Sequence, residues 1–314
     1  MSDVAQGSTH RTVLLEEAVE ALRIIPDGVY VDGTFGRGGH ARAILAKLSG
    51  RGRLFAMDKD PQAITCAQND FGRDARVTIA QASFAELGDF ARQWGVAGQI
   101  DGVLLDLGVS SPQLDDATRG FSFRQDGPLD MRMDPTRGVS AAQWIGKASE
   151  DEIVKVLRDY GEERFARRIA RAIVTERGIE PIITTRRLAA VVARAHPAWE
   201  KGKDPSTRSF QAIRILVNNE LEDLSECLKQ IHSLLAMHGR LAIISFHSLE
   251  DRIVKRFIQH EEKPDDLPPD LPIRGDQFAA RFKRVGKAID PGEAEIAANP
   301  RARSAHLRVA EKIG

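Results

Sequence analysis

The apolar positions of the N-terminal third alternate between two periods. Val29-Tyr30-Val31, Leu54-Phe55-Ala56-Met57, Val77-Thr78-Ile79 and Gly102-Val103-Leu104-Leu105 are short apolar or β-branched runs. Strands buried on both faces read this way. Between the runs the spacing is helical: Ala41, Ile44, Leu45 and Leu48, then Ala63 to Phe71, then Ala85 to Trp94. A helix from Thr12 to Leu22, stopped by Pro26-Asp27-Gly28, comes first. Four alternations of strand and helix predict a parallel α/β sheet.

The alternation then stops. From Leu114 to Ser206 the chain reads as loops and helices. Gly120 to Gly138, rich in Gly, Pro, Asp and Arg, reads as an ordered loop. Ser149-Glu150-Asp151-Glu152 caps a helix ending at Gly161, and its acidic first turn suits the positive end of the helix. Glu163 to Glu176 gives a second helix, with Phe165, Ile169, Ala172 and Ile173 on one face. Thr184 caps a third, carrying Leu188, Val191 and Val192 and ended by Pro197. An inserted all-helical domain over 114–206 is therefore expected, between sheet-forming segments 1–113 and 207–314.

In the last segment Phe210, Ile213, Leu216, Val217 and Leu221 keep helical spacing. Leu224, Leu228, Ile231 and Leu235 continue it as far as Gly239. Leu241-Ala242-Ile243-Ile244 is a fifth strand. Ser248-Leu-Glu-Asp251 has the spacing of a capping box, with Asp in the usual Glu position, for a helix through Val254 and Phe257. Residues 265–272 read as an irregular loop, and Phe282 to Val285 and Leu307 to Ala310 as two final strands.

Charge narrows the partners. The 314 residues hold 45 Lys+Arg and 45 Asp+Glu, so no global basic field exists and any nucleic-acid contact must come from local patches. A hydrophobic content of 42% supports a real core. Cys66 and Cys227, far apart in helical patterns, read as buried free thiols and offer no metal spacing. The N-terminus has no apolar signal core and no run reaches membrane length. A soluble, cytoplasmic protein without a membrane partner is expected.

The candidate chemistry sits at the strand ends. Val29-Tyr30-Val31 runs into Asp32 and then Gly33, Gly36, Gly38 and Gly39, ahead of a helix. Strand, glycine turn and helix make a cofactor cradle, because glycines let a ligand approach the backbone and the first helical amides face its anionic groups. In open α/β sheets the ligand lies beyond the carboxyl ends of the strands. Asp32, Asp58 and Asp106 all occupy such ends. Asp58 follows the cradle by about twenty residues, the spacing of an acid that holds ribose hydroxyls. Phe84, after the third strand, is placed to flank an adenine ring. A dinucleotide needs a second mononucleotide half, whereas here helices follow the fourth strand, which favours one nucleoside-like cofactor. Gly36, Gly38, Ala41 and Asp58 nevertheless also fit a nicotinamide oxidoreductase.

Further motifs resemble one family. His10-x-x-Val13-Leu14-Leu15, Asp32-Gly-Thr-Phe-Gly-Arg-Gly-Gly-His40, Met57-Asp58-x-Asp60, Leu105-Asp-Leu-Gly-Val-Ser-Ser111 and Arg119-Gly-Phe-Ser-Phe123 occur in order. Leu129-Asp-Met-Arg-Met133, Tyr160-Gly-Glu-Glu163, Phe210-Gln-Ala-Ile-Arg-Ile215, Ile244-Ser-Phe-His-Ser-Leu-Glu-Asp-Arg252 and Asn299-Pro-Arg-x-Arg-Ser-Ala305 follow. The chain resembles the bacterial small-subunit ribosomal RNA cytosine-N4 methyltransferase family (RsmH, formerly MraW). The resemblance implies a class I S-adenosylmethionine-dependent methyltransferase sheet, Rossmann-like, with an inserted all-helical substrate-recognition domain. It implies methyl transfer to the exocyclic N4 amine of a cytidine in the decoding region of 16S rRNA, within the small ribosomal subunit, and it admits a homodimer. It carries donor binding onto Gly38, Gly39, His40, Asp58, Phe84, Asp106 and Gln113.

Two departures from other methyltransferases stand out. Thr34 occupies a common glycine position, and Leu107-Gly108-Val109-Ser110-Ser111-Pro112 stands where many amino-methyltransferases carry an Asp/Asn-Pro-Pro-Tyr motif. Catalytic roles therefore rest on this chain's own residues, with Asp106 and His247 as candidate proton acceptors. Basic clusters for RNA are Arg164, Arg167, Arg168 and Arg171; Arg186 and Arg187; Arg281, Lys283 and Arg284; and Arg301, Arg303 and Arg308. A non-catalytic ribosome-assembly RNA-binding protein is the remaining alternative.

Overall fold

A computed structural model describes residues 12–198, 204–263 and 280–314. In chain order the elements are α1 (Leu15–Ala21), β1 (Val29–Asp32), α2 (Gly39–Lys47), β2 (Arg53–Asp58), α3 (Pro61–Phe71), β3 (Val77–Gln81), α4 (Leu87–Gln93) and β4 (Ile100–Asp106). Then come α5 (Ser111–Asp115), α6 (Ala141–Lys147), α7 (Glu150–Asp159), α8 (Ala166–Ile179), α9 (Thr185–Ala195), α10 (Thr207–Asn218) and α11 (Glu220–Leu234). The chain closes with β5 (Leu235–Ser245), α12 (Ser248–Glu262), β6 (Phe282–Arg284), α13 (Glu293–Ala298) and β7 (His306–Lys312). The irregular loop expected at 265–272, and His10 of the first motif, lie outside the described residues.

The chain divides into two compact units, Met1–Gly108 with Asp223–Gly314, and Val109–Glu222. The first unit holds a sheet in the order β3-β2-β1-β4-β5-β7-β6. β1 to β5 are parallel, and β7 runs antiparallel to both β5 and β6. This is the expected class I methyltransferase sheet, flanked by helices on both faces. Alternation along the strands sorts its side chains into two cores. Val29, Val31, Met57, Val103, Leu105, Leu241 and Ile243 pack with α4, α11 and α12. Tyr30, Leu54, Ala56, Leu104, Ala242 and Ile244 pack with α1, α2 and α3. The chain leaves β1 toward β2 and β3, then returns to β4 on the other side of β1. The direction therefore reverses between β1 and β4, where α/β sheets open a crevice for ligands.

The second unit has its own core, in which Ile153, Leu157, Ile169, Ile173, Leu188, Val192 and Ile213 meet. Its helices start where their capping residues stand. Ser149 and Glu152 form the capping box of α7, and Thr184 accepts from the Arg187 N–H ahead of α9. The 120–138 stretch is ordered by polar ties to its backbone. The buried Arg119 donates to the carbonyls of Arg132 and Met133. Asn218 donates to Met131 O and accepts from Met133 N–H, both at 2.7 Å.

Four local expectations shift. α8 begins at Ala166 and not at Glu163, because Glu163 Oε1 takes the Phe165 N–H at 2.8 Å just ahead of the helix. The helical run from Phe210 breaks at Asn219, whose φ of 52° asparagine tolerates better than most residues. Leu235 is the first residue of β5, paired with Ile100. The ladder resumes at Gly102 and Arg240 after an irregularity containing His238 at φ 65°, so cross-strand pairing overrides the helical spacing there. The cap of α12 is His247 with Glu250, one residue earlier than the Ser248 and Asp251 pair. Cys66 and Cys227 are free thiols, and burial pushes Cys227 up to about 12. Among the described residues no helix is long and apolar enough to cross a membrane.

Candidate functional site

The sequence dictates a tight corner after β1. Gly36 and Gly38 take φ of 54° and 73°, and Gly38 is the N-cap of α2. A Cβ on Gly38 would lie 2.5 Å from the Phe35 ring, and one on Gly39 only 1.7 Å from Thr12 Oγ1. Phe35 and Thr12 fill the space beside these two Cα atoms, so packing holds both positions to glycine, whereas Gly36 has open space beside it.

Three carboxylates gather at the strand tips around that corner. Asp32 is buried; its Oδ1 accepts the Thr34 N–H at 3.2 Å, and its Oδ2 has no hydrogen-bond partner. Asp58 is half-buried and accepts the Gly36 N–H on Oδ2 and the Asp60 N–H on Oδ1, both at 2.8 Å. Each of its oxygens keeps a second lone pair, which matches the two hydroxyls of a ribose diol. Asp106 keeps 24% of its side chain exposed, yet its Oδ1 is buried without a partner. The Asp106 N–H donates to Thr34 Oγ1 at 2.6 Å. The residue at the common glycine position thus ties the β1 corner to the end of β4, a role that its hydroxyl alone could have suggested.

His40, the second residue of α2, points Nδ1 at Asp106 Oδ2 across 3.7 Å, and its buried Nε2 is without a partner. Phe84 opens a short 3-10 turn, Phe84–Glu86, and its Cβ lies 3.3 Å from where a Gly33 Cβ would stand. Gly38, Gly39, His40, Asp58, Phe84 and Asp106 therefore all lie at or just beyond the carboxyl ends of β1 to β4. Gln113 belongs to the second unit, where its Oε1 accepts the Ser110 N–H at 2.8 Å. His247, two residues past β5, caps α12: its Nδ1 accepts the Glu250 N–H at 3.4 Å, and its Nε2 lies 3.2 Å from Glu250 Oε1. Glu250, which the sequence reading passed over, is buried and accepts the Phe246 N–H at 2.8 Å. Among the basic clusters, Arg164, Arg167, Arg168 and Arg171 are all exposed on or beside α8.

Desolvation sets the electrostatics. Burial raises Asp32 to about 7 and Asp58 to about 6, each against the pull of the backbone N–H groups it accepts. Burial, then the Asp32 and Glu250 carboxylates, push Asp106 well above the usual carboxylate range. Burial lowers His40 to about 4, which keeps the imidazole neutral. An acid whose folded pKa is raised stabilises the fold fully only below its unfolded value, and loses that contribution as pH rises through the folded value. For Asp32 this window runs from the ordinary carboxylate value of 3.8 to about 7. Asp32→Asn is therefore expected to gain stability over the wild type steadily across that window and to hold the gain above it. Urea midpoints of both proteins at about pH 5 and about pH 8 check this, and an equal difference at the two pH values would refute it.

The site fits a nucleoside carrying a cationic centre. A glycine turn open at Gly36 stands beside it, one carboxylate has spare acceptor capacity, and two further acids hold buried oxygens without partners.

Comparison with known proteins points the same way. The family model described as the MraW methylase family matches residues 7–313. The ribosomal RNA small subunit methyltransferase H of Thioalkalivibrio sulfidiphilus is 59% identical over 305 residues, covering 97% of each chain. The protein of that name from Chromohalobacter salexigens is 58% identical over 315 residues, covering 100% of this chain and 95% of the relative.

Proposed function

Because the chain belongs to the MraW methylase family, we propose that it methylates the exocyclic N4 amine of a cytidine in 16S rRNA, with S-adenosylmethionine as donor. The observation that carries the donor assignment is the Asp58 carboxylate holding the N–H of Gly36, the open glycine of the turn, at the point where the sheet reverses direction. Asp58 would hold the ribose hydroxyls, Phe84 would flank the adenine, and the Gly38 and Gly39 backbone would line the methionine end beside His40 and Asp106. The bound donor supplies an electrophilic methyl group on its sulfonium.

Cytosine N4 is a weak nucleophile because its lone pair is delocalised into the ring. A residue that accepts an N4 hydrogen localises that pair, and a base held in line then needs little further activation. Asp106 suits this task, with its buried Oδ1 without a partner at the end of β4. His247 is the weaker candidate, since its Nδ1 is committed to the cap of α12. The target base must leave its stack before it reaches these groups.

The substrate is proposed to be the assembled small subunit in the cytoplasm. Labelled donor, incubated with small subunits from a strain lacking the gene, should place one methyl group on N4 of one cytidine by mass spectrometry. The absence of transfer to both subunits and naked 16S rRNA would refute the reading and favour a non-catalytic assembly protein.

RNA contact is assigned to the arginines of α8. Replacing Arg168 and Arg171 together by Ala should reduce the slope of log affinity against log salt by about two. Filter binding across a salt series measures this, and an unchanged slope would remove α8 from the interface.

A further inference from the structure

One carboxylate outside the strand tips links two of the loops that form the site. Asp223, in the first turn of α11, takes both the Ser83 hydroxyl proton and the Lys59 ammonium on Oδ2. Lys59 directly follows Asp58, and Ser83 directly precedes Phe84. The two loops are already neighbours, since the Ala82 N–H donates to Asp58 O at 3.0 Å. That backbone bond leaves the side-chain end of each loop to be fixed by something else.

The chemistry of the junction is specific. Ser83 is the N-cap of the 3-10 turn that begins with Phe84, and its Oγ accepts the Ala85 N–H at 3.1 Å. Its backbone N–H is taken by Glu86 Oε1 at 3.1 Å, which completes a capping box. The hydroxyl has one proton to give, and Asp223 takes it, so the rotation of the cap is set by α11. The side chains of Lys59 and Asp223 are only 21% and 17% exposed, so their pairing is shielded more than a surface ion pair. Asp223 stands on a helix whose Leu224, Cys227, Leu228 and Ile231 are anchored in the core beneath the sheet. A rigid helix thereby holds the loop after β2 and the loop after β3 at one point.

We propose that Asp223 is a positioning residue for the donor, fixing the spacing between the Asp58 carboxylate and the Phe84 ring through Lys59 and Ser83. The inference rests on the donor reading above and extends it to a residue outside the strand tips. Asp223 acts through its two partners, so its removal should loosen the adenosine end and leave the methyl-transfer groups in place.

The test is calorimetric binding of S-adenosylhomocysteine and of adenosine to the full chain, wild type against Asp223→Ala and Asp223→Asn. The Ala variant is expected to weaken both ligands by the same factor, roughly tenfold, because the loss falls on the shared adenosine moiety. The Asn variant keeps an acceptor for Ser83 but no charge for Lys59, and should fall between wild type and Ala. It also serves as the measured protein should the Ala variant not fold. KM for the donor should rise by a similar factor, with kcat at saturating donor within about twofold of wild type. Lys59→Met combined with Asp223→Ala should be little worse than Asp223→Ala alone, since both break one junction. Wild-type affinity for both ligands in the Asn variant, or an effect confined to the melting temperature, overturns the proposal. A wild-type protein that binds neither ligand overturns the donor reading, and this inference with it.

Discussion

Replacing Asp58 by Ala should lower the affinity for S-adenosylhomocysteine by roughly a hundredfold or more, the largest binding loss of any single change at the strand tips. The carboxylate would accept two hydrogen bonds from the ribose, and each charge-assisted bond contributes ~1.5–3 kcal/mol. The same oxygens already hold the Gly36 and Asp60 N–H groups, so the substitution also frees the glycine turn. Both effects act on the adenosine moiety. Affinity for adenosine alone should therefore fall about as far as affinity for the whole ligand. Calorimetry with both ligands measures this. An Asp58→Ala protein that binds adenosine as the wild type does would remove the ribose assignment.

Asp106→Asn should lower the single-turnover rate of methyl transfer by ~10²–10⁴, the range in which positioned proton acceptors act. The amide preserves shape but cannot accept the N4 proton. Donor affinity should change much less, because the fold around the glycine turn depends on the Asp106 backbone N–H, which the substitution keeps. The pH profile gives a second readout. Burial and the neighbouring Asp32 and Glu250 carboxylates raise the Asp106 pKa, so the wild-type rate should climb with pH as this acid loses its proton. The residual rate of Asp106→Asn should lack that limb. His247→Asn, which can still accept the Glu250 N–H at the start of α12, is the contrasting variant and should keep the wild-type profile. A wild-type rate in Asp106→Asn would assign proton acceptance elsewhere, and loss in His247→Asn alone would assign it to His247.

Much of the candidate site was legible before any fold was known. Asp32, Asp58 and Asp106 announce themselves because each ends an apolar run of strand length, and the ends of parallel strands meet on one edge of the sheet. Helix starts at Ser149 and Thr184 were equally plain, since a cap is a contact between residues three apart. The register at α12 was not, because His247 is a less usual cap than Ser248 and only the bond from Glu250 N–H to its ring settles the choice. The strand start at Leu235 was hidden for a different reason. Its pairing partner is Ile100, and nothing local opposes a continued helix there.

Order along the chain dictates the alternation of strand and helix, the helical stretch that interrupts it, the glycine turn and the acids at the strand ends. Those features depend on neighbours along the chain, where periodicity and capping are decided. Long-range packing is what brings Asp106 beside His40, Thr34 to the end of β4, and Asp223 to Lys59 and Ser83. These contacts join residues from 66 to 164 positions apart, once the chain has returned to pair β4 with β1. No local pattern encodes which side chains such a return brings together.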